Sequence, residues 1–153
     1  MAARQLARRA LKSSPQVRSA PAFKGRAIMA KAKVYRWDDV EEETLKKGVK
    51  RKFIHGDQAM IARFDLAKGE IVPAHAHHNE QLSYIVSGSL KFVLDGKDEV
   101  IVRAGEVLVI PSNVSHSAET LEDCVAIDVF APPRQDWIDK TDAYLREEVS
   151  AAR

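Results

Sequence analysis

Three of the five histidines of this 153-residue chain lie within four residues, at His75, His77 and His78. Successive side chains of a β-strand point to opposite faces, so an extended chain places His75 and His77 on one face and His78 on the other. The same alternation, continued through the next bend, returns Gln81 to the face of His75 and His77. His116 follows a turn that contains Gly and Pro, on a later predicted strand. Imidazoles from two neighbouring strands and one side-chain oxygen are a typical ligand set for a first-row transition metal.

The oxygen ligand of this predicted metal site has two candidates. Gln81 is favoured because its strand parity and its spacing to Gly88 both fit, whereas Glu80 needs a one-residue bulge to face the metal. Three imidazoles and an amide are all neutral, so a divalent ion keeps its full charge, which favours Lewis-acid chemistry over iron-dependent oxygen chemistry. This ligand set does not distinguish among Ni²⁺, Zn²⁺, Mn²⁺ and Fe²⁺. A solvated histidine-rich loop is the alternative that the ordered spacing disfavours.

A second group of candidate residues lies near the end of the predicted sheet. Asp128 and Phe130 share one face of a predicted strand. An aspartate inside an apolar strand is costly unless it is paired or faces a wet cavity, so Asp128 is a candidate general acid or base. Arg134 follows two prolines that could aim its guanidinium over the cavity, where it would bind a carboxylate of the substrate. On spacing alone, the alternative is that Asp128 and Arg134 form a structural salt bridge and that Phe130 belongs to the core.

Short segments rich in Val, Ile, Leu and Phe must position these residues. With a period close to two, they predict strands at 50–54, 60–66, 81–86, 90–94, 99–102, 107–110 and 125–130. Glycine or Asx turns separate the segments, which predicts an all-β antiparallel sandwich or barrel.

Helices are predicted at both ends of this all-β region. A short helix over 41–47 would begin after Asp38 and end at Gly48. A helix over 136–149 would be capped by Asp136, and one of its faces would carry Trp137, Thr141, Tyr144 and Leu145.

The charge distribution separates the start of the chain from the rest. Residues 1–37 contain ten Lys and Arg and no acid, whereas residues 38–153 contain 14 Lys and Arg against 22 Asp and Glu, which gives −8. The basic character therefore belongs to the leader and is no evidence for a nucleic-acid-binding surface. We expect a disordered basic leader at 1–30, either a transit peptide or an upstream extension of a start at Met29, and one domain at 31–153.

The sequence also argues against a membrane-spanning helix and a disulfide-bonded fold, and it predicts where several single residues lie. No apolar run approaches the roughly 20 residues that span a bilayer. The lone Cys124 excludes an internal disulfide and is interpreted as structural. Tyr84 has the opposite parity to Gln81 and is expected outside the barrel or at a partner subunit, while Arg63 with Asp65 either lines the cavity or forms a surface pair.

Two motifs in this chain resemble those of the cupins. The segment Gly69-x5-His75-x-His77-x3-Gln81-x6-Gly88 is similar to the first cupin motif, and Gly105-x5-Pro111-x-Asn113-x2-His116 is similar to the second. The resemblance implies a double-stranded β-helix, the RmlC-like jelly-roll barrel, with a divalent transition metal inside. The chain departs from the usual motifs at three positions, with Gln81 for Glu, Asn113 for Gly and Thr120 for Asn.

Together with Asp128-Val-Phe130-x3-Arg134-x-Asp136-Trp137, the first motif resembles the KdgF-type cupins of pectin degradation. That resemblance implies a metal-dependent lyase or isomerase of uronate catabolism. It would convert 4,5-unsaturated uronates from pectin or alginate breakdown to open-chain 4-deoxy-5-keto uronates. The implied metal ligands are His75, His77, Gln81 and His116. Asp128 would be the acid/base, Arg134 the carboxylate anchor and Phe130 a wall of the pocket. His78-Asn79 stands where the family often has Pro and a further His.

Three other functions stay open from the sequence: a cupin dioxygenase that uses iron, a cupin lyase acting on a small acid, and a non-catalytic cupin that binds a sugar or a metal. The expected partner is a small acidic sugar, without nucleic acid or membrane. The resemblance implies a homodimer. A cytoplasmic location is expected, or an organellar one if residues 1–28 are a transit peptide.

Overall fold

The computed structural model describes residues 32–146. The predicted basic leader at 1–30 lies outside the described residues. The strands are β1 (Glu43–Lys46), β2 (Val49–His55), β3 (Met60–Leu66), β4 (Ile71–His75), β5 (Glu80–Leu94), β6 (Asp98–Arg103), β7 (Val107–Ile110) and β8 (His116–Ala131). One short α-helix, α1 (Gln135–Ile138), and two 3₁₀ helices, at Trp37–Asp39 and Ala143–Leu145, complete the described elements.

The two longest strands, β5 and β8, bend so that each of them belongs to both faces of the barrel. The first half of β5 pairs with β7 and with the second half of β8, which in turn pairs with β3 and so continues to β2 and β1. The second half of β5 pairs with β6 and with the first half of β8, which also pairs with β4. All of these pairings are antiparallel. This arrangement confirms the predicted all-β cupin jelly roll.

Gly88 marks the bend of β5. Its φ of +76° lies in the left-handed region that glycine adopts without strain. A side chain at this position would collide with the backbone of Asp123 and Cys124 on β8. The β5–β8 register shifts between Ile85 and Leu90, so the absence of a side chain at Gly88 lets the two strands stay in contact while they bend.

Strand alternation separates an interior face from an outer face. On β3, Met60, Ala62, Phe64 and Leu66 are buried, and they pack in the core between the two faces of the barrel. Tyr84 on β5 is exposed, so it lies on the outer face as its parity predicts. Of the two placements left open for Arg63 and Asp65, the structure shows a partly exposed pair with contacts of 2.9 and 3.1 Å.

The predicted helix over 41–47 is wrong, because Glu43–Lys46 form strand β1. Thr44 pairs with Lys50 of β2 across a turn in which Gly48 has φ +77°. Leu45 is buried in the core. The run of Glu and Lys residues has good helix propensity, but pairing with β2 and burial of Leu45 override that weak local preference.

The predicted helix over 136–149 is also wrong in its extent and in its cap. Helix α1 has only four residues, begins after Arg134 and contains Asp136 within its first turn. The chain reverses at Lys140, where φ is +57°, and continues into the 3₁₀ helix Ala143–Leu145. Trp137 and Leu145 are nevertheless buried, as the pattern indicates, whereas Thr141 is exposed. Residues 147–149 of the prediction lie outside the described part of the chain.

Neither α1 nor any other helix within residues 32–146 is long and apolar enough to cross a bilayer.

Candidate metal centre

The structure brings His75, His77 and His116 together. Their ring centroids lie 5.6 Å (His75–His77), 4.4 Å (His75–His116) and 5.1 Å (His77–His116) apart. One nitrogen from each ring lies within 4.8 Å of the nitrogens of the other two. Three imidazole nitrogens at this separation could hold one metal ion.

Different parts of the barrel supply the three rings. His75 is the last residue of β4 and His116 is the first residue of β8, and the two are paired in the strand register. His77 lies in the connection to β5 and not on a strand, which differs from the extended geometry used for the prediction. Its carbonyl accepts a hydrogen bond of 2.8 Å from the backbone N–H of Asn113, so the turn before β8 holds the His77 connection in place.

Each of the three rings is oriented by a backbone carbonyl. The Nδ1 atoms of His75, His77 and His116 lie 2.8, 3.0 and 2.9 Å from the carbonyl oxygens of Pro73, Asn79 and Val114. A carbonyl can only accept, so Nδ1 carries the proton and Nε2 keeps its lone pair. These three hydrogen bonds fix the tautomer that a metal ligand requires.

Burial keeps these imidazoles neutral. Burial, with the positive charge of Arg134 adding to it, lowers the pKa of His75 and of His77 to about 4. Burial also lowers the pKa of His116. Neutral imidazoles are available to bind a metal at neutral pH, because no proton has to leave first.

Gln81 lies beside the imidazole cluster, and Glu80 does not. The Gln81 side chain is buried, and its amide nitrogen donates to Ser83 Oγ at 2.8 Å and to Asp128 Oδ2 at 3.3 Å. These bonds turn its Oε1 toward His77 Nε2, at 3.1 Å. Glu80 is exposed, so the bulge that would bring its carboxylate to the cluster is not observed.

The donor atoms fit a metal by their own chemistry. Gln81 Oε1 and His77 Nε2 are both acceptors once Nδ1 carries the His77 proton, so no hydrogen bond explains their separation of 3.1 Å. His116 Nε2 is buried and has no hydrogen-bond partner within residues 32–146. A cation would satisfy all of these lone pairs.

Asp128 lies in the same cavity, behind Gln81. The cavity is lined by His75, Gln81 and His116 together with Asp128, Phe130 and Arg134. The strand register places Ser83 opposite Asp128 and Gln81 opposite Phe130. Asp128 Oδ1 is buried and accepts no hydrogen bond within the described residues.

Burial also perturbs this carboxyl group. It raises the pKa of Asp128 to about 7, although the Ser83 hydroxyl and the positive charge of Arg134 favour the carboxylate. A carboxyl with such a pKa is present in both protonation states near neutral pH, which a group that takes and returns a proton needs.

Arg134 is buried against the aromatic side of the cavity. Its guanidinium carbon lies 5.5 Å from the ring centroid of Phe130 and 4.8 Å from that of Trp137. Nε and Nη2 donate to the two carboxylate oxygens of Asp136, at 2.9 and 2.6 Å. Arg134 does not form the alternative salt bridge with Asp128. The Nε and Nη2 atoms of Arg134, which together could bind a substrate carboxylate, bind Asp136 instead.

Residues that sequence reasoning did not assign to the site support its walls. Asn79 is buried, and its side-chain amide donates to the carbonyls of Pro132 and Pro133 at 2.6 and 3.2 Å. It thus joins the histidine loop to the segment that carries Arg134. An Asn next to a histidine cluster is a signal for such a loop bond, but the sequence alone does not show its partner. Tyr144, grouped above only as part of a helix face, accepts a hydrogen bond of 2.6 Å from Arg134 Nη2.

Asn113 explains one departure from the second cupin motif. Its φ is +65°, in the left-handed region where glycine is favoured and where Asn is the best tolerated alternative. The same backbone conformation is therefore kept with a different residue.

Comparisons with known proteins agree with this fold. The family model for the cupin domain matches residues 62–130. The structure is similar to that of KdgF from Halomonas sp., with 25% identity and a TM-score of 0.65 over 70% of this chain and 99% of that one. It is also similar to an RmlC-like cupin from Shewanella frigidimarina, with 28% identity and a TM-score of 0.65 over 70% of this chain and 96% of that one.

More distant similarity shows the fold alone. Oxalate decarboxylase of Bacillus subtilis is 20% identical, with a TM-score of 0.58 over 64% of this chain and 29% of that one. Among proteins with curated functions, none matches this sequence significantly.

Proposed function

We propose that this cupin-fold protein is a metal-dependent enzyme that opens the ring of 4,5-unsaturated uronates from pectin or alginate breakdown and yields open-chain 4-deoxy-5-keto uronates. One observation carries the proposal. Three members of the neutral His₃Gln donor set, His75, Gln81 and His116, line one cavity with a carboxyl group whose pKa is raised to about 7 and with an arginine, and His77 completes the histidine cluster. The motif resemblance to the KdgF-type cupins and the structural similarity to the Halomonas KdgF support the same reaction.

The donor set suits polarisation of substrate oxygens. His75, His77, His116 and Gln81 would hold a divalent transition metal, Ni²⁺, Zn²⁺, Mn²⁺ or Fe²⁺. A bound divalent ion with four neutral ligands acts as a Lewis acid toward sugar hydroxyl and ring oxygens. The remaining chemistry is assigned to the side chains of the cavity.

Asp128 is the proposed proton carrier. Opening an unsaturated uronate requires a proton to leave the anomeric hydroxyl and a proton to reach the enol carbon. Asp128 can take and return a proton near neutral pH, because burial raises its pKa to about 7. The Gln81 amide, which donates to Asp128 Oδ2, orients the carboxyl group while Oδ1 is left for the substrate.

Arg134 and Phe130 are proposed to bind the substrate. Asp136 and Tyr144 use Nε and Nη2 of Arg134, so Nη1 is the nitrogen available to the substrate's carboxylate. Phe130 is buried next to His77, with ring centroids 5.7 Å apart, and forms an apolar wall against the sugar ring. The cavity thus combines one anion-binding group with one apolar surface.

The activity is tested by following the loss of ultraviolet absorbance of the conjugated enol of unsaturated galacturonate. Wild type should accelerate the loss well above the buffer control. Asp128→Asn should lose about 10²-fold or more in kcat while it retains metal, because general acid–base catalysis contributes about 10²–10⁴-fold. His77→Ala should lose both the metal and the activity. A wild-type rate equal to the buffer control, in protein that contains stoichiometric metal, would remove the proposal and leave a non-catalytic cupin.

Matched variants of adjacent residues test the fourth ligand. Gln81→Ala should lower the metal content measured by elemental analysis, whereas Glu80→Ala should leave it unchanged, because Gln81 faces the imidazoles and Glu80 faces solvent. The opposite pattern would assign the oxygen ligand to Glu80.

A homodimer, implied by the family resemblance, is proposed as well. It is supported by exposed apolar side chains of β5 and β7 on the outer face, among them Leu82, Tyr84, Val107 and Val109. Light scattering coupled to gel filtration should give twice the chain mass, and Val109→Glu should give the monomer mass. A wild-type mass equal to one chain would overturn this assembly. The cytoplasmic location stays a prediction.

A further inference from the structure

Residues 139–146, which follow α1, return to the barrel and are called the strap below. Two of its side chains are fixed inside the protein. Asp142 is fully buried and forms an ion pair of 2.8 Å with Arg51 of β2. Leu145 is buried in the core. Tyr144 lies between these two residues in sequence, so the backbone that carries it is anchored on both sides.

The strap places Tyr144 against the candidate metal centre. Its ring lies 4.7 Å from the ring of His75, with an interplanar angle of 35°. Its hydroxyl oxygen accepts a hydrogen bond of 2.6 Å from Arg134 Nη2. Tyr144 also lines the cavity that contains His75, Asp128 and Arg134.

Counting donors shows what Tyr144 and Arg134 leave for a ligand. Nε of Arg134 and one N–H of Nη2 bind Asp136, and the other N–H of Nη2 binds Tyr144. The two hydrogens of Nη1 remain. Tyr144 uses its oxygen as an acceptor here, and no described residue accepts its hydroxyl proton. The cavity thus offers Nη1–H and the phenol O–H as donors beside each other.

We propose that Tyr144 is a specificity-determining residue, whose hydroxyl donates a hydrogen bond to the substrate's carboxylate while it holds the Arg134 guanidinium in position. The proposal rests on the function proposed above, because it names the group that binds the acid function of that substrate. A carboxylate has acceptor sites for both donors, and each charge-assisted hydrogen bond adds affinity that a neutral sugar cannot obtain. The strap is thereby part of the substrate site.

The test uses Tyr144→Phe, which removes only the hydroxyl, with Tyr84→Phe on the exposed outer face as the matched control. For unsaturated galacturonate, Tyr144→Phe should raise KM about tenfold and leave kcat within about twofold, the loss expected for one hydrogen bond to a charged group. The dissociation constant of galacturonate, measured by calorimetry with metal-loaded protein, should rise about tenfold, and that of galactose should stay the same. Metal content and the urea midpoint of Tyr144→Phe should match those of wild type, and Tyr84→Phe should change neither KM nor the affinity for galacturonate.

Each outcome separates the two proposals. An unchanged KM and an unchanged galacturonate affinity in Tyr144→Phe, with an active wild type, overturn the role of Tyr144 alone. A fall in kcat without a rise in KM, equal losses for galacturonate and galactose, or loss of metal also overturns it. If wild type does not turn over unsaturated galacturonate but Tyr144→Phe weakens galacturonate selectively, the ring-opening function fails and the anion-binding role of Tyr144 stands.

Discussion

Two buried arginines stack on the same tryptophan but have different surroundings. The guanidinium carbons of Arg51 and Arg134 lie 4.1 and 4.8 Å from the ring centroid of Trp137. Both side chains are almost fully removed from solvent. They differ in the partners that neutralise them and in the space that they face.

Arg51 is closed within a network of charges. Its Nε and Nη2 donate to Glu43, at 3.0 and 2.7 Å, and its Nη1 forms the ion pair with Asp142. Arg146 pairs with the same two carboxylates, at 3.2 and 3.4 Å. Two positive and two negative groups thus balance, and together they join β1, β2 and the strap.

Arg134 is only partly engaged. Its one carboxylate partner, Asp136, has a side chain that is 34% exposed, and its third contact is the neutral hydroxyl of Tyr144. Nη1 takes no part in these contacts, and the group faces the cavity. The comparison indicates that a fully paired buried arginine has no guanidinium nitrogen left for a ligand, whereas the partly paired one beside the cavity keeps Nη1 available for one.

The largest expected effect comes from the same substitution at the two sites. Arg51→Met should lower the free energy of unfolding by about 3–5 kcal/mol, because it leaves Glu43 and Asp142 without their buried partner. Arg134→Met should lower it by about 1–2 kcal/mol, because Asp136 can be hydrated and the Met side chain still packs against the aromatic rings. Urea unfolding of the two variants measures the difference. Equal losses of unfolding free energy in the two variants would show that Arg51 and Arg134 contribute equally to stability.

A smaller effect should separate the two arginines in catalysis. Arg134→Lys keeps the charge but loses the planar fork, so KM for unsaturated galacturonate should rise about ten- to fiftyfold. Arg51→Lys should leave KM of the folded protein within about twofold, since Arg51 does not line the cavity. Steady-state kinetics below the unfolding midpoint of each variant gives the comparison. A similar rise of KM in both would contradict the assignment of substrate binding to Arg134 and not to Arg51.

The smallest expected effect concerns Cys124, a buried group without a cationic partner. Burial, with the charges of Asp128 and Glu122 adding to it, raises the pKa of the Cys124 thiol to about 11. An unfolded thiol ionises near pH 9 and the folded one near 11, so the stabilising contribution is complete below pH 9 and is lost as the pH rises toward 11. Between pH 8 and pH 10, wild type should lose about 1 kcal/mol more than Cys124→Ala in urea unfolding. Parallel losses would show that burial alone does not hold this group neutral, which would weaken the contrast with the paired arginines.

Which residues could supply the donor atoms of the candidate site was predictable, because strand alternation and turns relate residues that are close in sequence. Strand parity relates His75, His77 and Gln81 within seven residues, and the Gly and Pro turn before His116 marks the start of another strand. The outer position of Tyr84 follows from the same alternation. The actual path differs at His77, which lies in a turn, but its ring still reaches the cluster because the Asn113 hydrogen bond holds that turn.

Features that depend on distant contacts could not be predicted in this way. Local propensity favours a helix over 41–47, and only pairing with β2 makes it a strand. Nothing near Arg134 in sequence identifies Tyr144 as its partner, because the reversal at Lys140 brings the strap back. The spacing of Arg134 and Asp136 allowed a pair, but the orientation of that pair toward Trp137 depends on the packed barrel.

The sequence by itself determined the β-sheet period, the turns and the set of donor atoms that a metal would need, because residue types and alternation are properties of neighbouring positions. The tertiary structure alone decided which donors meet, which arginine is neutralised and which keeps a free nitrogen for a ligand, because those outcomes depend on burial and on charges supplied by strands and a strap far apart in the chain.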